Sequence, residues 1–344
     1  MNHVKAENAD INHKIRVSII VPIFNPSETL FTKTINALLK QTLKDIEIIL
    51  VDDASTSQQT ADILNKYKVH SNIKIITHQA NKHVGGACNT GIRSAQGEFV
   101  AFCAQDDYME ASMYQLLYQK AMVDGADMVI CGIQRVNDSG VVLGNRKLSV
   151  DIKFNTITQD KIYRRSMLKK HNLSFIENIV PEDWFNSLCM MYAKKISIVD
   201  KVLFSYVQHE DSLVANQRDW VNQALISENC FFEECKNRGL LEKYRDEVNY
   251  LYFYRYIWDG YKSILKYEVN SIDILQKMLK HLESNNITIH DKVIKKNLHK
   301  RLWRQLWFLS YYPTLFRFFV FVKYHKYDKS RIVNYENITQ MTID

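Results

Sequence analysis

The sequence lacks a long apolar segment, although 46% of its 344 residues are hydrophobic. A membrane-spanning helix needs a run of about 18 apolar residues, and the nearest approach, 306–322, is broken by Pro313 and Arg317. The first 14 residues are polar and lack the apolar centre of a signal peptide. We therefore expect a cytoplasmic protein, either free or bound to the inner face of the cell membrane.

Cysteines at metal-binding spacing are also absent, because the six cysteines are scattered along the chain. We expect reduced thiols in the core rather than a zinc site or a disulfide framework. Charged residues make up 24% of the sequence, and the formal net charge is +7. This composition is typical of a folded globular protein. The positive charge alone is compatible with a membrane surface, a nucleic acid or an anionic ligand.

Strand and helix patterns alternate in the first part of the chain. Runs such as Arg16–Pro22 and Ile46–Val51 are typical of buried parallel strands, and segments with helical spacing of apolar residues separate them. This alternation predicts an α/β fold with a doubly wound, mostly parallel sheet flanked by helices. The predicted strands are 16–22, 46–51, 73–77, 97–103 and 127–131, followed by a hairpin or irregular insertion at 132–158.

The alternation fades after Asp160, and helical patterns dominate beyond Asp219. We therefore predict a polar extension at 1–14, an α/β domain at 15–215 and a helical region at 216–344. The predicted helices of that last region are 220–235, 244–267, 272–283 and 291–309.

Carboxylates follow two of the predicted strands. Asp53 comes after the second strand, and Asp106 and Asp107 come after strand 97–103. Open parallel sheets bind ligands at this edge, and two adjacent carboxylates need a cation or strong donors to offset their repulsion. This pattern indicates a metal and a phosphate, whereas a turn or a helix cap at Asp106 is the alternative interpretation.

Five short motifs occur in order along the first domain. They are Val-Pro-Ile-Phe-Asn at 21–25, Val-Asp-Asp-Ala-Ser at 51–55, the Asn- and Gly-containing loop 81–91, Gln-Asp-Asp at 105–107 and Glu-Asp at 182–183. Together they resemble the family 2 inverting glycosyltransferases, which use nucleotide sugars and have the GT-A fold. The resemblance implies a Rossmann-like domain, followed here by a helical subdomain. It also implies a UDP-linked donor, a glycan, glycolipid or glycoprotein acceptor, and Mn²⁺ or Mg²⁺.

The resemblance implies a nucleotide-sugar site built from several motifs. Asp53 corresponds to the acid that accepts from the imide of uracil, and Pro22 and Phe24 would shape the wall of the base pocket. Glycines in the loop 81–91 permit close approach of the backbone to a ligand. The expected nucleotide-sugar ligands are Pro22, Phe24, Asn25, Asp53, Asn81, Gly85, Asn89, Asp106, Trp184 and His209.

By the same resemblance, one of Asp106 and Asp107 binds the ribose hydroxyl and the other binds the metal. Asp107 is the preferred metal ligand. Family members commonly have Asp-Ser-Asp-Asp here, and Ala104 replaces the first acid. Cys88 likewise replaces an Arg, which removes a phosphate or ribose donor. These departures favour a metal site with fewer acidic residues than is usual in the family. They also make a binding or scaffold protein that has lost turnover an alternative.

Glu182 and Asp183 supply the chemistry that the resemblance implies. In an inverting transfer one carboxylate takes the proton from the acceptor hydroxyl, and Asp183 matches the family's base. The alternative interpretation is that the helix dipole favours these two acids in the first turn of a helix and that neither takes part in catalysis. Trp184 either stacks on a sugar face or belongs to the core, and His209 either binds phosphate or is structural. A nucleotidyltransferase is an alternative enzyme, although its Gly-rich basic loop is missing here.

The C-terminal third carries no motif of the family. Between 292 and 329, Lys and Arg residues alternate with Trp, Tyr and Phe. This mixture fits a segment on an anionic membrane surface. It fits equally a surface that packs on protein, including a second copy of the chain. No nucleic-acid-binding module is recognisable, so nucleic acid is not an expected partner.

Overall fold

A nine-stranded sheet forms the centre of the first domain in the computed structural model, which describes residues 14–146, 148–154, 157–177, 184–208, 220–267 and 271–312. Its strands are β1 (Val17–Ile23), β2 (Ile46–Asp52), β3 (Ile73–Thr77), β4 (Phe99–Phe102), β5 (Tyr108–Met109), β6 (Met128–Asn137), β7 (Val142–Arg146), β8 (Lys161–Arg164) and β9 (Ile196–Gln208). The helices between the earlier strands are α1 (Glu28–Leu39), α2 (Gln58–Tyr67), α3 (His83–Ser94) and α4 (Met113–Asp124).

Strands β1 and β2 lie in the interior of the sheet. Every residue of β2 is buried, and in β1 only Pro22 is partly exposed. A parallel strand that is covered by helices on both faces needs apolar residues on both faces, which explains why these strands are continuous apolar runs. The predicted α/β fold with a mostly parallel central sheet is confirmed.

Six of the nine strands in the described part of the chain run in the same direction. Strands β1 to β4 pair in parallel. Strand β8 is antiparallel to both β4 and β6, so β6 has the direction of β4, and β9 pairs with β6 in parallel. The carboxyl ends of these six strands therefore lie at one edge of the sheet, where open α/β sheets bind ligands.

Strands β8 and β9 were not predicted from the sequence. Strand β8 has four residues and contains Lys161 and Arg164, so no apolar run marks it. The apolar pattern of β9 is interrupted at Asp200 and Lys201, where its register with β6 shifts. The strands of the sheet thus continue beyond Asp160, where the alternation was expected to fade. The segment predicted as a hairpin or insertion starts as the hairpin of β6 and β7.

Helices dominate the rest of the described chain, as predicted. They are α5 (Arg165–Lys170), α6 (Trp184–Tyr192), α7 (Trp220–Asn237), α8 (Leu241–Tyr267), α9 (Ser271–Ser284), α10 (Lys292–Asn297) and α11 (Lys300–Tyr311). The segment predicted as one helix at 291–309 is two helices, because Leu298 and His299 adopt extended backbone angles between them. None of the helices within the described residues is long and apolar enough to cross a membrane.

The helical region and the sheet share a hydrophobic core. Trp184 of α6 packs in the same buried cluster as Phe231 of α7. At the start of α8, the hydroxyl of Tyr244 donates to the carbonyl of Met191 at 2.8 Å. The predicted boundary near residue 215 falls in 209–219, outside the described residues, and stays a prediction.

Helix α3 is held against the segment 173–177 by a buried amide. Asn89 Nδ2 donates to the carbonyl of Phe175 at 3.0 Å, and Asn89 Oδ1 accepts from its N–H at 2.8 Å. Gly85 lies one turn earlier, where a Cβ would stand 2.0 Å from the carbonyl oxygen of Ile176. These contacts fix the path of the chain just before the segment that contains the candidate base.

Replacing Asn89 by Ala should lower the free energy of unfolding by about 1–3 kcal/mol, because the buried N–H and C=O of Phe175 would lose their partners. Urea unfolding followed by circular dichroism measures this change. Asn65 is exposed on α2, so Asn65→Ala is a matched control that should change the same quantity by less than about 0.5 kcal/mol. Equal losses in the two variants would contradict a specific role of the Asn89 amide.

Candidate active site

A cavity of about 830 Å³ opens at the carboxyl edge of the sheet. Its volume lies in the range of small-molecule sites, roughly 300–1,000 Å³. The loops after β1, β2 and β4 and the start of α1 form one part of its wall. Helix α3, Phe175, the residues before β8 and the ends of β6 and β9 form other parts. Its polar lining includes Asn25, Asp53, Gln105, Asp106, Asp138, Thr158, Gln159 and Tyr206.

Asp53 follows β2 and is only 3% exposed, yet it lines the cavity. Its Oδ1 accepts from His78 Nδ1 at 2.7 Å and from the backbone N–H of Lys82 at 2.9 Å. Two donors on the same oxygen hold the carboxylate in one orientation. Within the described residues its Oδ2 has no hydrogen-bond partner, so this oxygen is available to a ligand.

His78 is a candidate residue that was not identified from the sequence. It follows β3, and its backbone N–H donates to the carbonyl of Asp52 at 2.8 Å. Its Nε2 lies 2.9 Å from Thr90 Oγ1, which accepts from Arg93 Nη2 at 2.9 Å. The available signal was its position, because a polar residue after a third parallel strand falls at the same edge as Asp53.

Asn25 joins the loops that follow β1 and β2. Its Oδ1 accepts from the N–H groups of Thr56 and Ser57 at 3.0 and 3.1 Å, and its own N–H donates to Ser55 Oγ at 2.9 Å. Its φ of 43° lies in the left-handed region, which Asn tolerates better than most residues. Its side chain is thus used within the protein, and contact of Asn25 with a nucleotide stays a prediction.

Pro22 and Phe24 line the cavity beside Asp53. Phe24 is 43% exposed, and such an aromatic face is suited to stack on a planar base. The side chain of Gln105 bonds to both backbone groups of Phe24, with Phe24 N–H to Oε1 at 2.9 Å and Nε2 to the Phe24 carbonyl at 3.2 Å. Gln105 therefore ties this wall to the acidic loop after β4.

The two acids after β4 have different environments. Asp106 is half-buried and lines the cavity. Asp107 is fully buried and does not line it; its Oδ1 accepts from the N–H of Val207 in β9 at 2.8 Å. Burial, and then the charge of Asp106, raise the pKa of Asp107 well above its ordinary value. Asp107 thus connects β4 to β9, whereas the sequence had favoured it as the metal ligand.

The described residues fit a divalent cation only in combination with substrate oxygens. They contain no group of three or more His, Cys, Asp or Glu side chains that could hold a metal. Mg²⁺ is commonly bound by one or two carboxylates together with substrate phosphates and water. Asp106 can supply one such ligand from the cavity wall, where Ala104 provides only a methyl group.

The loop 81–91 contributes mainly apolar groups to the cavity, namely Val84, Ala87 and Cys88. Asn81 Oδ1 accepts from the N–H of His83 at 2.9 Å, at the start of α3. Gly85 and Asn89 contact the segment 173–177, as described above. Nucleotide-sugar binding by Asn81, Gly85 and Asn89 stays a prediction, because the contacts recorded for them are internal.

Glu182, Asp183 and His209 lie outside the described residues, so their roles stay predictions. Phe175, which lines the cavity, and Trp184, the first residue of α6, flank the interval that holds both acids. Trp184 is buried, with its ring centroid 6.4 Å from that of Phe231, and it does not line the cavity. This placement favours the core interpretation of Trp184.

Three residues from the other half of the sheet also line the cavity and were not singled out from the sequence. Asp138 follows β6, Gln159 precedes β8 and Tyr206 is near the end of β9. The turn that carries Asp138 is braced by Asn137, whose Oδ1 accepts from the N–H of Val141 at 2.8 Å. Only the pairing of β8 and β9 with β6 brings these residues to the edge that carries Asp53.

The chain is similar in sequence to known glycosyltransferases. The model of glycosyl transferase family 2 matches residues 18–182. An uncharacterized glycosyltransferase of Bacillus subtilis, EpsJ, is 33% identical over 217 residues, which are 57% of this chain and 62% of EpsJ. The cholesterol galactosyltransferase of Borreliella burgdorferi is 30% identical over 286 residues, which are 72% of this chain and 76% of that protein.

Among solved structures, residues 1–349 of TarS from Staphylococcus aureus, in complex with UDP-GlcNAc, superpose with a TM-score of 0.73. The superposition covers 92% of this chain and 93% of the TarS chain at 22% sequence identity. This likeness establishes the GT-A fold. Together with the family match and the similarity to other glycosyltransferases, it leads to one assignment: the chain belongs to glycosyltransferase family 2.

Proposed function

We propose that this protein transfers a sugar from a UDP-linked nucleotide sugar to a hydroxyl group of a glycan, glycolipid or glycoprotein, with inversion at the anomeric carbon. The observation that carries the proposal is the presence of Asp53 and Asp106 on one cavity, after strands on either side of β1. A nucleotide sugar presents a base at one end and a diphosphate further along, so it needs an acceptor for the base and a charged ligand near the phosphates.

A uracil base suits the environment of Asp53. An ionised carboxylate only accepts hydrogen bonds, and uracil offers the N3–H donor, whereas the N3 of cytosine is itself an acceptor. The Oδ2 atom of Asp53 is available for this bond, and Phe24 lies on the same wall. The complex of the structurally similar TarS with UDP-GlcNAc adds support for a UDP-linked donor.

Asp106 is the proposed protein ligand of a divalent cation, Mn²⁺ or Mg²⁺. When bound, such a cation neutralises the diphosphate and stabilises the charge on the leaving UDP. The choice of Asp106 over Asp107 is supported by its position on the cavity wall and by the bond that Asp107 makes with Val207. Asp107 then contributes by holding the acidic loop against β9.

Asp183 is the proposed general base. It would take the proton of the acceptor hydroxyl while that oxygen bonds to the anomeric carbon and the bond from this carbon to the diphosphate oxygen breaks. One base suffices for inversion, whereas retention of the glycosidase type requires a second carboxylate as nucleophile. Two hydrogen bonds between Asn89 and Phe175 support the chain before Asp183. The buried Trp184 supports it directly after Asp183.

The acceptor would lie against the wall formed by the ends of β6, β8 and β9. Asp138, Gln159 and Tyr206 present a carboxylate, an amide and a phenol there, and such groups bind sugar hydroxyls through hydrogen bonds. This wall belongs to the half of the sheet that does not carry Asp53. The donor and the acceptor would therefore be bound by different halves of one sheet.

Asp183→Asn should lower the rate of transfer by about 10²–10⁴-fold, because the general base is lost. Its affinity for UDP should stay within a factor of about three of the wild-type value, since the base acts only on the acceptor. UDP release measured over a panel of sugar nucleotides, with Mn²⁺ or with EDTA, gives the rate, and calorimetry gives the affinity.

Asp200→Asn is the matched control, because Asp200 is exposed in β9. It should retain full activity. Unchanged transfer in Asp183→Asn would refute the assignment of the base. Binding of UDP by the wild-type protein without UDP release from any sugar nucleotide would instead indicate a binding or scaffold protein.

Asp106→Asn should remove most of the gain in UDP affinity that Mn²⁺ provides, because a neutral amide is a poor ligand for a hard cation. Asp107→Asn should keep this gain, since the amide oxygen can still accept from the N–H of Val207. Calorimetric titration of UDP with and without Mn²⁺ compares the two variants, which differ by one position in the same loop. Loss of the gain in Asp107→Asn alone would favour the assignment made from the sequence.

We also propose that α10 and α11 bind an anionic membrane surface. No acidic residue occurs from 292 to 312. Helix α11 buries Leu302, Leu306 and Leu309 in the core, while Tyr311 and Tyr312 at its end are 55% and 48% exposed. The exposed cations of the two helices are Lys292, Lys295, Lys296, Lys300, Arg301 and Arg304. Cations beside interfacial aromatic residues are typical of surfaces that bind anionic lipid.

The triple variant Lys296→Glu, Lys300→Glu, Arg304→Glu should float poorly with vesicles of phosphatidylcholine and phosphatidylglycerol, since each basic residue near such a surface contributes about 1 kcal/mol. The wild-type protein should float with these vesicles and not with phosphatidylcholine alone. Lys40, Lys68 and Lys74 are exposed on the α/β domain, so their triple change to Glu is a control with the same net charge. Equal flotation of both variants would contradict membrane binding. Dimers of the wild-type protein that only the first variant disrupts would also contradict it.

A further inference from the structure

We propose that His78 is a positioning residue that orients Asp53 toward a uracil base and thereby contributes to the choice of nucleotide. The inference rests on the proposed UDP-sugar function and extends it to a residue outside the five motifs. His78 does not line the cavity, so it would act on the nucleotide only through Asp53.

The hydrogen-bond chain that ends on Asp53 has a direction. Arg93 can only donate, and its Nη2 lies 2.9 Å from Thr90 Oγ1. The hydroxyl hydrogen of Thr90 can then point to His78 Nε2, 2.9 Å away. Because the carboxylate of Asp53 only accepts, a ring hydrogen lies on Nδ1, 2.7 Å from Asp53 Oδ1. In this tautomer every hydrogen of the chain has an acceptor.

The imidazole itself is fixed by the sheet. The backbone N–H of His78 donates to the carbonyl of Asp52, which continues the pairing of β3 with β2. Its side chain is 8% exposed, so its hydrogen bonds lie in a region of low dielectric, where they are stronger than in water. Asp53 therefore takes its orientation from a group that the sheet holds in place.

This orientation determines which nucleobases the site accepts. Asp53 Oδ1 is occupied by His78 and by the N–H of Lys82, which leaves Oδ2 to meet the ligand. A fixed acceptor at this point attracts N3–H of uracil and repels the N3 lone pair of cytosine. Without His78 the carboxylate can rotate, and this discrimination weakens, whereas stacking on Phe24 and diphosphate binding do not depend on it.

Two conservative variants separate orientation from simple packing. Asn places an amide nitrogen near the position of the His Nδ1 atom, so His78→Asn can still donate to Asp53. Gln reaches the position of Nε2 instead, and Ala reaches neither. The ratio of the dissociation constants of CDP and UDP, measured by calorimetry with Mn²⁺, reports base discrimination independently of overall affinity.

The wild-type protein and His78→Asn should prefer UDP to a similar degree, whereas His78→Gln and His78→Ala should lower the ratio by about tenfold, as expected for one charge-assisted hydrogen bond. Thr90→Val keeps the imidazole and removes the hydroxyl, and it should lower the ratio in the same direction. The ratio for Thr90→Val can therefore still test the inference if His78→Ala does not fold.

A purely structural role of His78 would weaken UDP and CDP binding by the same factor, and an unchanged ratio in His78→Gln and Thr90→Val would overturn the inference. In that case a wild-type preference for UDP would leave the proposed function standing. If the wild-type protein binds neither nucleotide, the proposed function and this inference both fail.

Discussion

The common direction of six strands is the constraint on which the rest of the site depends. Because β1 to β4, β6 and β9 end at one edge, residues that are distant in the sequence line one cavity there. Asp53 follows β2, Asp106 follows β4 and Asp138 follows β6. The antiparallel β8 makes this possible, since it lies between β4 and β6 and lets both point the same way.

Helix α3 connects the two ends of this site through neighbouring residues. Thr90 contacts the imidazole of His78, which donates to Asp53, while Asn89 satisfies both backbone groups of Phe175. A buried polar group that loses its partner costs about 1–3 kcal/mol, so neither contact is easily exchanged for another. The same helix consequently supports Asp53, through His78, and the chain that leads to Asp183.

Much of the fold could be predicted because buried parallel strands are apolar runs: β3 was located at 73–77, as observed, and β2 to within one residue. The positions of Asp53 and Asp106 at the cavity could be predicted because each lies in the loop that follows such a run. The roles of other polar residues depend on partners that are remote in sequence. Asn89 meets Phe175 across 86 residues, and Asp107 meets Val207 across 100. No local pattern distinguishes such an internal bond from a bond to a ligand or metal.

A crystal structure of the protein with UDP and Mn²⁺ tests the central claim most directly. We expect uracil N3 to lie about 2.7–3.2 Å from Asp53 Oδ2, as in an ordinary hydrogen bond, with the base against Phe24 and the diphosphate beside Asp106. A nucleotide bound away from this cavity, or bound in it with its base turned away from Asp53, would contradict the account.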